Sequence, residues 1–296
     1  MTEWTLHPRC CWCGADFTQD MITDSPVWLC ASPVCAQRQM DWAMFDDAGR
    51  LFYLPTPKQV ELEEAIASQR FGFICAGGSR GGGKSVGWRR IAQRYCRQFD
   101  NFSVLFLRRE YKQLIRNHIK FAVRETKRLG GKHAGFVSSW PNGSEIEFGH
   151  CQDPDDFTNY VGAEVDLLVF DQLELFTDEQ FTEISAAAGR IVRPHWRSLV
   201  GAGENPGGPL SSFVDELFLA KTRDRVKYPK YNPANYGFIH SQLEDNPHVD
   251  PRYVDNLAQM KPERREMFRY GRRDVFPGQY FKHFAAQGRV QKLDVQ

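Results

Sequence analysis

A glycine-rich run at residues 78–85 carries the clearest chemical signal in the sequence. It reads Gly-Ser-Arg-Gly-Gly-Gly-Lys-Ser and fits the pattern G-x-x-x-x-G-K-[ST], whose backbone N–H groups wrap around the phosphates of a nucleotide. In this interpretation Lys84 reaches the β- and γ-phosphate oxygens, and the hydroxyl of Ser85 binds Mg²⁺. The alternative is a glycine-rich turn that matches by chance. The rest of the phosphate cradle is predicted at Gly78, Ser79, Gly81, Gly82 and Gly83.

The flanking sequence supplies the elements that such a loop needs. Residues 71–76 are a short apolar run suited to a buried strand, and the residues from Lys84 onward predict a helix. The N-terminal dipole of that helix would face the phosphates. Strand, loop and helix in this order therefore predict a site for a nucleoside triphosphate, with ATP and Mg²⁺ as the bound species.

A second strand that ends in an acid is expected to complete the site. Residues 165–171 are almost continuously apolar, as in a buried parallel strand, and end in Asp171, which would hold Mg²⁺ through its water shell. In ATP-hydrolysing enzymes of this layout the next residue is normally a glutamate that polarises the attacking water, but here it is Gln172. An amide cannot accept a proton from water, so we expect a loss of ~10²–10⁴-fold in hydrolysis with nucleotide binding retained.

Three explanations of Gln172 are open. It could be a deliberate substitution that traps the ATP-bound state, or the natural residue of a degenerate enzyme. Alternatively, Glu174 could be the base instead. We favour the first explanation, because Glu174 lies two residues further along an extended segment and therefore farther from the metal.

Two more polar residues are candidates for the nucleotide site. Residues 196–203 predict a third strand, and Asn205 follows it before a Pro-Gly turn, where its amide could sense the γ-phosphate or orient water. Considered alone, Asn205 is better explained as part of an ordinary turn. Gln59 lies at the start of an amphipathic helix, after Pro55 and Pro57, and its amide could bind the N6/N7 edge of adenine.

Four cysteines near the N-terminus have the spacing of a tetrahedral zinc site. Cys10 and Cys13 form C-x₂-C, and after sixteen residues Cys30 and Cys35 form C-x₄-C. Zinc would fold this segment, because some fifty residues with few aliphatic side chains cannot form a core alone. Four unrelated thiols are the alternative. Two competing ligands are near the set, namely His7 and Cys11.

The composition describes an ordinary globular chain. Of its 296 residues 42% are hydrophobic and 25% are charged, and no run approaches the ~18 consecutive apolar residues that span a bilayer. The start of the sequence lacks the basic and apolar regions of a signal peptide, which predicts an intracellular protein.

The charges are strongly segregated although the net charge is only +1. Residues 84–132 contain fourteen Lys/Arg and three Asp/Glu, whereas residues 133–189 contain twelve acids and no Lys or Arg. The basic stretch could be a track for a polyanion, or a set of solvated helix faces that pair with the acidic half. The first fifty residues have three bases and seven acids, so we expect the zinc module to be a structural or protein-docking appendage rather than a DNA-binding one.

Taken in order, these motifs resemble the ATPase half of the large terminase subunit of tailed phages, the motor that packages DNA into procapsids. The resemblance covers roughly residues 50–282 and includes Arg80, four residues before Lys84, and the strand that ends at Asp171. Its other motifs are Pro-Thr-Pro-Lys-Gln at 55–59, Phe-Leu-Arg-Arg at 106–109, Trp-Pro-Asn-Gly-Ser at 140–144, Ile-Glu-Phe-Gly at 146–149, Asn-Tyr-Val-Gly at 159–162, Gly-Glu-Asn-Pro at 203–206, Asp-Asn-Pro at 245–247 and Gly-Gln-Tyr-Phe at 278–281.

The resemblance implies roles and partners. Arg80 would be a sensor or cis finger on the γ-phosphate, and Asn205 would couple hydrolysis to motion. A trans arginine finger from a neighbouring subunit is also implied, with Arg190 and Arg193 as candidates. The implied partners are double-stranded DNA, a portal protein, a small terminase subunit and further copies of the chain in a ring, at the procapsid portal vertex in the host cytoplasm and without a membrane.

The sequence departs from the family pattern at two points. Gln172 replaces the catalytic glutamate, and the sequence stops at Gln296, before the nuclease domain that family members usually carry. We therefore expect no nuclease activity from these residues. The zinc module is not a general feature of the family, so the resemblance suggests no role for it.

The expected fold is α/β, a P-loop sheet of the ASCE type with parallel strands and helices on both faces. A β-hairpin is expected near residues 136–149, and the expected divisions are a zinc-binding module at 1–48, an ATPase domain at 49–282 and the start of a linker at 283–296. A helicase-like ATPase acting on single strands and a degenerate nucleotide-binding scaffold are the rival functions. DNA backbone contacts are expected from the basic residues of 84–132 and from Arg264, Arg265, Arg272 and Arg273.

Overall fold

The computed structural model describes residues 10, 13, 15–22, 25–190 and 192–275. The features expected at His7, at Cys11 and within residues 278–296 lie outside this part of the chain. The strands of the described residues are β1 (Phe17–Ile22), β2 (Ser25–Cys30), β3 (Met44–Phe45), β4 (Leu51–Tyr53), β5 (Phe73–Gly78), β6 (Ser103–Arg108), β7 (Lys132–Ala134), β8 (Val137–Ser139), β9 (Glu145–His150), β10 (Leu167–Asp171), β11 (Leu199–Glu204) and β12 (Tyr236–Ser241).

The helices follow from local capping signals. At the start of one helix Gln59 accepts a hydrogen bond from the backbone N–H of Thr56, just before Pro57, and at the start of another Thr177 accepts one from the backbone N–H of Gln180. Two π-helical turns occur, at Ile115–Ile119 and Asp215–Leu219. The α-helices are α1 (Pro33–Asp41), α2 (Pro57–Ala67), α3 (Lys84–Gln98), α4 (Tyr111–Leu114), α5 (Lys120–Arg128), α6 (Asp178–Ser185), α7 (Ser211–Val214), α8 (Pro251–Ala258) and α9 (Pro262–Tyr270).

The main sheet has eight strands in the order β12-β5-β11-β10-β6-β9-β8-β7. All pairs from β12 to β9 are parallel, whereas β9, β8 and β7 pair antiparallel. Strand β11 lies between β5, which leads into the glycine-rich loop, and β10, which ends at Asp171. The expected parallel α/β architecture is confirmed, and β8 and β9 form the hairpin expected near residues 136–149, with β9 ending at His150.

Alternate residues of the central strands face two separate apolar cores. In β10, Val169 packs on the side of α3 with Trp88, whereas Phe170 packs on the opposite side with Phe181 of α6. All four side chains are buried. Truncation of a buried phenylalanine or tryptophan to alanine typically costs about 3–5 kcal/mol. Helices on both faces therefore fix the sheet, and the carboxyl ends of β5, β11, β10 and β6 meet along one edge.

The N-terminal segment forms a hairpin of β1 and β2 followed by α1. It is joined to the rest of the chain at α2, where Gln39 donates to the carbonyl of Pro55 over 2.9 Å and Arg38 forms an ion pair with Glu64. None of the described helices is long and apolar enough to cross a membrane.

Candidate functional site

The glycine-rich loop lies at the carboxyl end of β5 and opens into a cleft of about 610 Å³. Gly81 and Gly83 have φ angles of +87° and +81°, in the left-handed region that favours glycine. A Cβ atom at Gly83 would lie 2.8 Å from Nε2 of Gln59, so this position also needs glycine for space. Helix α3 begins directly after the loop at Lys84, so its N-terminus faces the cleft, as an anion site requires.

The side chains of Lys84 and Ser85 lie where they could bind the phosphates and a magnesium ion, respectively. The Lys84 ammonium is buried and donates to the carbonyl oxygens of Ser79 and Gly78, and burial lowers its pKa. The Ser85 hydroxyl donates to Oδ1 of Asp171 over 2.7 Å. Hydroxyl and carboxylate oxygens are ligands that Mg²⁺ prefers, so these two side chains fit the ion.

Asp171 is held by two residues that the sequence analysis did not assign to the site. Arg108, at the end of neighbouring β6, forms an ion pair with its Oδ2, and Nε2 of His118 lies 2.8 Å from the same oxygen. Burial opposes ionisation of Asp171, but His118 and Arg108 hold its pKa well below the usual range. The arrangement therefore keeps Asp171 as a carboxylate.

The tautomer of His118 follows from its neighbours. Its Nε2 lies 2.8 Å from Oδ2 of Asp171, and an ionised carboxylate can only accept, so Nε2–H donates to Asp171. Nδ1 then accepts from Nη1 of Arg89 over 3.4 Å, and Nη1 of Arg108, 3.3 Å from Nε2, donates to Asp171 instead. Burial lowers the pKa of His118, which favours this neutral form. His118 belongs to the π-helical turn Ile115–Ile119, a feature that often marks functional positions. No pattern in the sequence distinguishes it from an ordinary core histidine.

Gln172 lies in the cleft with its amide already engaged. Its φ angle is +64°, and its Oε1 accepts from Nη2 of Arg108 over 2.6 Å. The residue is therefore close to Asp171 and to the glycine-rich loop, as expected, but it offers an amide instead of a carboxylate.

Two buried carboxylates lie next to Asn205. Glu174 accepts from Nδ2 of Asn205 over 3.1 Å, and burial together with the nearby Glu204 raises the pKa of Glu174 to about 7. Glu204 ends β11, lines the cleft and accepts from Nη1 of Arg273 over 2.8 Å. Asn205 also lines the cleft, whereas Glu174 lies behind it. Glu204 immediately precedes Asn205 at a strand end, which is the signal that could have identified it.

Arg80 reaches the cleft and is covered by the C-terminal helices. Its guanidinium lies 3.5 Å from the centre of the Phe268 ring, and its backbone N–H donates to the carbonyl of Phe268 over 2.7 Å. Asn246 donates from Nδ2 to the carbonyl of Gly81 over 2.6 Å. Residues near β12, α8 and α9 therefore contact the glycine-rich loop, an arrangement that the sequence did not predict.

Gln59 contacts the glycine-rich loop rather than an open pocket. Its Nε2 donates to the carbonyl of Gly83 over 2.9 Å and its Oε1 accepts from the backbone N–H of Thr56 over 2.8 Å. A second cavity of about 380 Å³ lies beside it, with Phe52, Tyr53 and His248 in its lining. The assignment of Gln59 to the adenine edge stays a prediction.

The four predicted zinc ligands converge. The Sγ atoms of Cys10, Cys13, Cys30 and Cys35 all lie within 4.8 Å of one another, close to the ~3.8 Å separation that Zn–S bonds of about 2.3 Å give in a tetrahedron. A backbone hydrogen bond from Ala15 and the Cys30 thiol lower the pKa of Cys13 to about 7. Thiolate ligands favour zinc, so this set fits a zinc ion.

The basic stretch divides into an interior and an exposed part. Arg89 and Arg90 form ion pairs of 2.8 Å with Glu125, and Arg108 pairs with Asp171 of the acidic half. Six exposed basic residues of this stretch form no ion pair with the described residues, of which Arg116 lines the cleft and Lys132 lies in β7. The other four are spaced by three, four or eight positions, which places them along one side of the helix formed by α4, the π turn and α5. We call them the basic stripe: Lys112, Lys120, Arg124 and Lys127.

The other arginines singled out in the sequence have diverse surroundings. Arg193 binds Asp166 through Nε over 2.8 Å, at the end of β10 opposite Asp171, and Arg190 donates to the carbonyl of Gly162. Arg273 is held by Glu204 and Asp215. Three more belong to the C-terminal cluster, of which Arg264 is exposed, Arg265 is half-buried and Arg272 pairs with Asp274.

Comparison with solved structures identifies the fold. The large terminase of a thermophilic bacteriophage aligns with a TM-score of 0.55 at 16% identity, over 73% of this chain and 53% of that one. The same protein in complex with ATP-gamma-S gives a TM-score of 0.52 at 15% identity, over 72% of this chain and 51% of that one. A variant of the ATPase domain of the Thermus phage P74-26 large terminase gives 0.53 at 15% identity, over 74% of this chain and 94% of that domain.

These similarities establish a large-terminase ATPase fold for the chain. The chain spans about half the length of the thermophilic phage terminase that it matches. No family model and no curated protein matches the sequence.

Proposed function

We propose that the chain is the ATPase part of a viral DNA-packaging motor, which binds ATP with Mg²⁺ and uses hydrolysis to move double-stranded DNA into a procapsid. One observation carries the proposal. The Ser85 hydroxyl and the Asp171 carboxylate meet at 2.7 Å in a cleft bordered by the glycine-rich loop, within a large-terminase ATPase fold. This contact joins the loop that would hold the phosphates to the strand end that would hold the metal.

The residues that line the cleft would have separate roles in nucleotide binding and hydrolysis. Backbone N–H groups of Gly81 to Ser85 would bind the phosphates, and Lys84 would exchange its loop carbonyls for β- and γ-phosphate oxygens. Mg²⁺ held by Ser85 and Asp171 would neutralise phosphate charge. Arg80 would leave Phe268 for the γ-phosphate, and Asn205 would orient the attacking water.

Hydrolysis is expected to be slow at this site. The amide of Gln172 cannot accept a proton and is engaged by Arg108, so ATP would remain bound for longer than in a site with glutamate there. The proposal includes the roles of the site residues and a division of the chain into three parts. These are a zinc-binding module at 1–48, an ATPase domain at 49–282 and the start of a linker at 283–296.

DNA would contact the basic stripe through its backbone phosphates. Lys and Arg supply most sequence-independent affinity for duplex DNA, and the stripe is exposed and unpaired among the described residues. The exposed Arg264 is a second candidate, whereas Arg273 is committed to Glu204 and Asp215. Copies of the chain would form a ring on a portal protein, supplied with DNA by a small terminase subunit, in the host cytoplasm and without a membrane.

A trans arginine finger would come from a neighbouring copy. Arg193 is a poor candidate because it holds Asp166 at the far end of β10, whereas Arg190 makes one hydrogen bond to a carbonyl. The zinc module, with zinc on Cys10, Cys13, Cys30 and Cys35, would be a docking or structural appendage on α2.

The variant Gln172→Glu tests the motor against a nucleotide-binding scaffold. A motor predicts Mg²⁺-dependent ATP binding in both proteins and a turnover that rises by ~10²-fold or more in the variant when DNA and partners are present. Binding without any turnover in the variant would favour the scaffold. Failure of both proteins to bind ATP would contradict the proposal as a whole.

A further inference from the structure

Glu204 is the only carboxylate besides Asp171 among the cleft-lining residues that the structure describes. It ends β11, the strand between the glycine-rich loop and Asp171. In the sheet register Glu204 is level with Gly77 of β5, and the preceding Gly203 is level with Asp171 of β10. Its backbone position is therefore central at the strand ends, between the phosphate cradle and the metal ligand.

The two oxygens of Glu204 have different surroundings. Oε2 accepts from Nη1 of Arg273 over 2.8 Å, whereas Oε1 is buried and has no hydrogen-bond partner among the described residues. A buried carboxylate oxygen without a partner is costly in a folded protein, so it marks either strain or a position that receives a partner during function. The Glu204 side chain is fully buried in the wall of the cleft, so a cleft water molecule that moves up to Oε1 would be its partner.

We propose that Glu204 accepts the proton of the attacking water when ATP is hydrolysed, in the role that residue 172 cannot fill. The inference rests on the proposed function. As the water oxygen bonds to the γ-phosphorus, the bond from that phosphorus to the β,γ-bridging oxygen breaks, and its electron pair stays on ADP. The water proton moves to Oε1 of Glu204 and is later released to the phosphate product or to solvent.

The surroundings of Glu204 suit a base. Burial raises its pKa, while Arg273 partly opposes this rise, and a carboxylate with a raised pKa takes a proton more readily. Gly77 makes room for the side chain, since a Cβ atom there would lie 2.7 Å from Oε2. Arg273 fixes the orientation by holding Oε2, which leaves Oε1 for water.

The neighbouring Glu174 is the competing base. It is buried as well, and its Oε2 also has no hydrogen-bond partner among the described residues. However, its Oε1 is bound to Asn205, and Asn205 rather than Glu174 lines the cleft. Glu174 therefore does not border the space in which the attacking water would lie, so the geometry favours Glu204.

Single-turnover hydrolysis of bound ATP in Glu204→Gln tests the proposal, with the dissociation constant of Mg-ATP measured in parallel. We expect the rate to fall at least ~10²-fold while the dissociation constant changes less than about fivefold. Glu63→Gln is the control, because Glu63 is another buried glutamate held by an arginine, with Nε of Arg94 at 3.2 and 3.1 Å from its two oxygens, and it does not line the cleft. Its rate should change less than about threefold.

The outcomes separate the inference from the proposed function. An unchanged rate in Glu204→Gln, or a loss confined to Glu174→Gln, would overturn the inference and leave the ATPase standing. ATP binding without any turnover in the unaltered chain would also overturn it, whereas absence of ATP binding would refute the proposed function itself. If Glu204→Gln does not fold, Glu204→Asp takes its place, because it withdraws the carboxylate by one ~1.5 Å bond, and an unaltered rate would then count against Glu204.

Discussion

The hydroxyl of Ser85 donates to Oδ1 of Asp171 over 2.7 Å, which joins the first turn of α3 to the end of β10. The two residues are 86 positions apart in the chain, and the parallel register of β5, β11 and β10 brings them together. Adjacent ligands of an octahedral Mg²⁺ with bonds of about 2.1 Å lie about 3 Å apart. The fold therefore holds the two oxygens close to the separation that joint binding of the ion requires.

Removal of the Lys84 ammonium and removal of the Ser85 hydroxyl should have different effects on nucleotide binding. Lys84→Ala removes a charge from the phosphates and should weaken ATP binding by ~10²-fold, because charge-assisted bonds contribute about 1.5–3 kcal/mol each. Ser85→Ala should weaken binding only when Mg²⁺ is present. Titration of a fluorescent ATP analogue with Mg²⁺ and in EDTA measures the affinity of both variants. If Ser85→Ala lost as much affinity in EDTA as with Mg²⁺, the magnesium assignment would be contradicted.

The cysteine cluster should contain one zinc ion that stabilises the N-terminal segment. Cys30→Ser should lose the metal and lower the melting temperature, since structural zinc contributes folding free energy directly. Cys151→Ser is the control, because Cys151 is buried in the main core away from the cluster. It should lower stability with the metal retained. Elemental analysis of protein with reduced thiols checks the claim, and an absence of zinc would disprove it.

Glu174 should make stability depend on pH. Its pKa is raised to about 7 in the folded state by burial and by Glu204, against an ordinary 4.5. The folded state therefore binds the extra proton between pH 4.5 and 7, and the stability that the protonated form provides is lost as the pH rises through that window. The full effect corresponds to about 3 kcal/mol.

The variant Glu174→Gln isolates this effect, because the amide imitates the protonated acid and still accepts from Asn205. Its free energy of unfolding should equal that of the unaltered chain near pH 4.5 and exceed it by up to about 3 kcal/mol at about pH 8. Urea unfolding at several pH values measures the difference. A difference that does not change with pH would show that Glu174 is ionised throughout.

The basic stripe should account for much of the salt-dependent affinity for duplex DNA. Replacement of its four residues, Lys112, Lys120, Arg124 and Lys127, by alanine should reduce the slope of log K against log salt by about 3–4. The matched control replaces four exposed basic residues on other elements, namely Arg70, Arg225, Lys230 and Arg252. Equal losses in the two variants would indicate general charge attraction rather than a DNA track.

Much of the strand framework could be predicted from the sequence, because apolar runs and glycine spacing are local signals. The runs that contain β5, β10 and β11 and the start of α3 at Lys84 are all apparent in the sequence alone. The contacts of Arg108 and His118 with Asp171 could not be predicted, since they depend on which strand neighbours β10 and on a π-helical turn. Likewise, Arg273 reaches Glu204 from a distant segment that carries no motif.

The most direct test of the central claim is steady-state ATP turnover of the Gln172→Glu variant with double-stranded or single-stranded DNA of equal length. We predict that double-stranded DNA stimulates turnover more strongly, and that a further Lys84→Ala change abolishes this turnover. Stimulation by single strands alone would indicate a helicase-like ATPase. No stimulation by either DNA, in a protein that binds Mg-ATP, would contradict the motor.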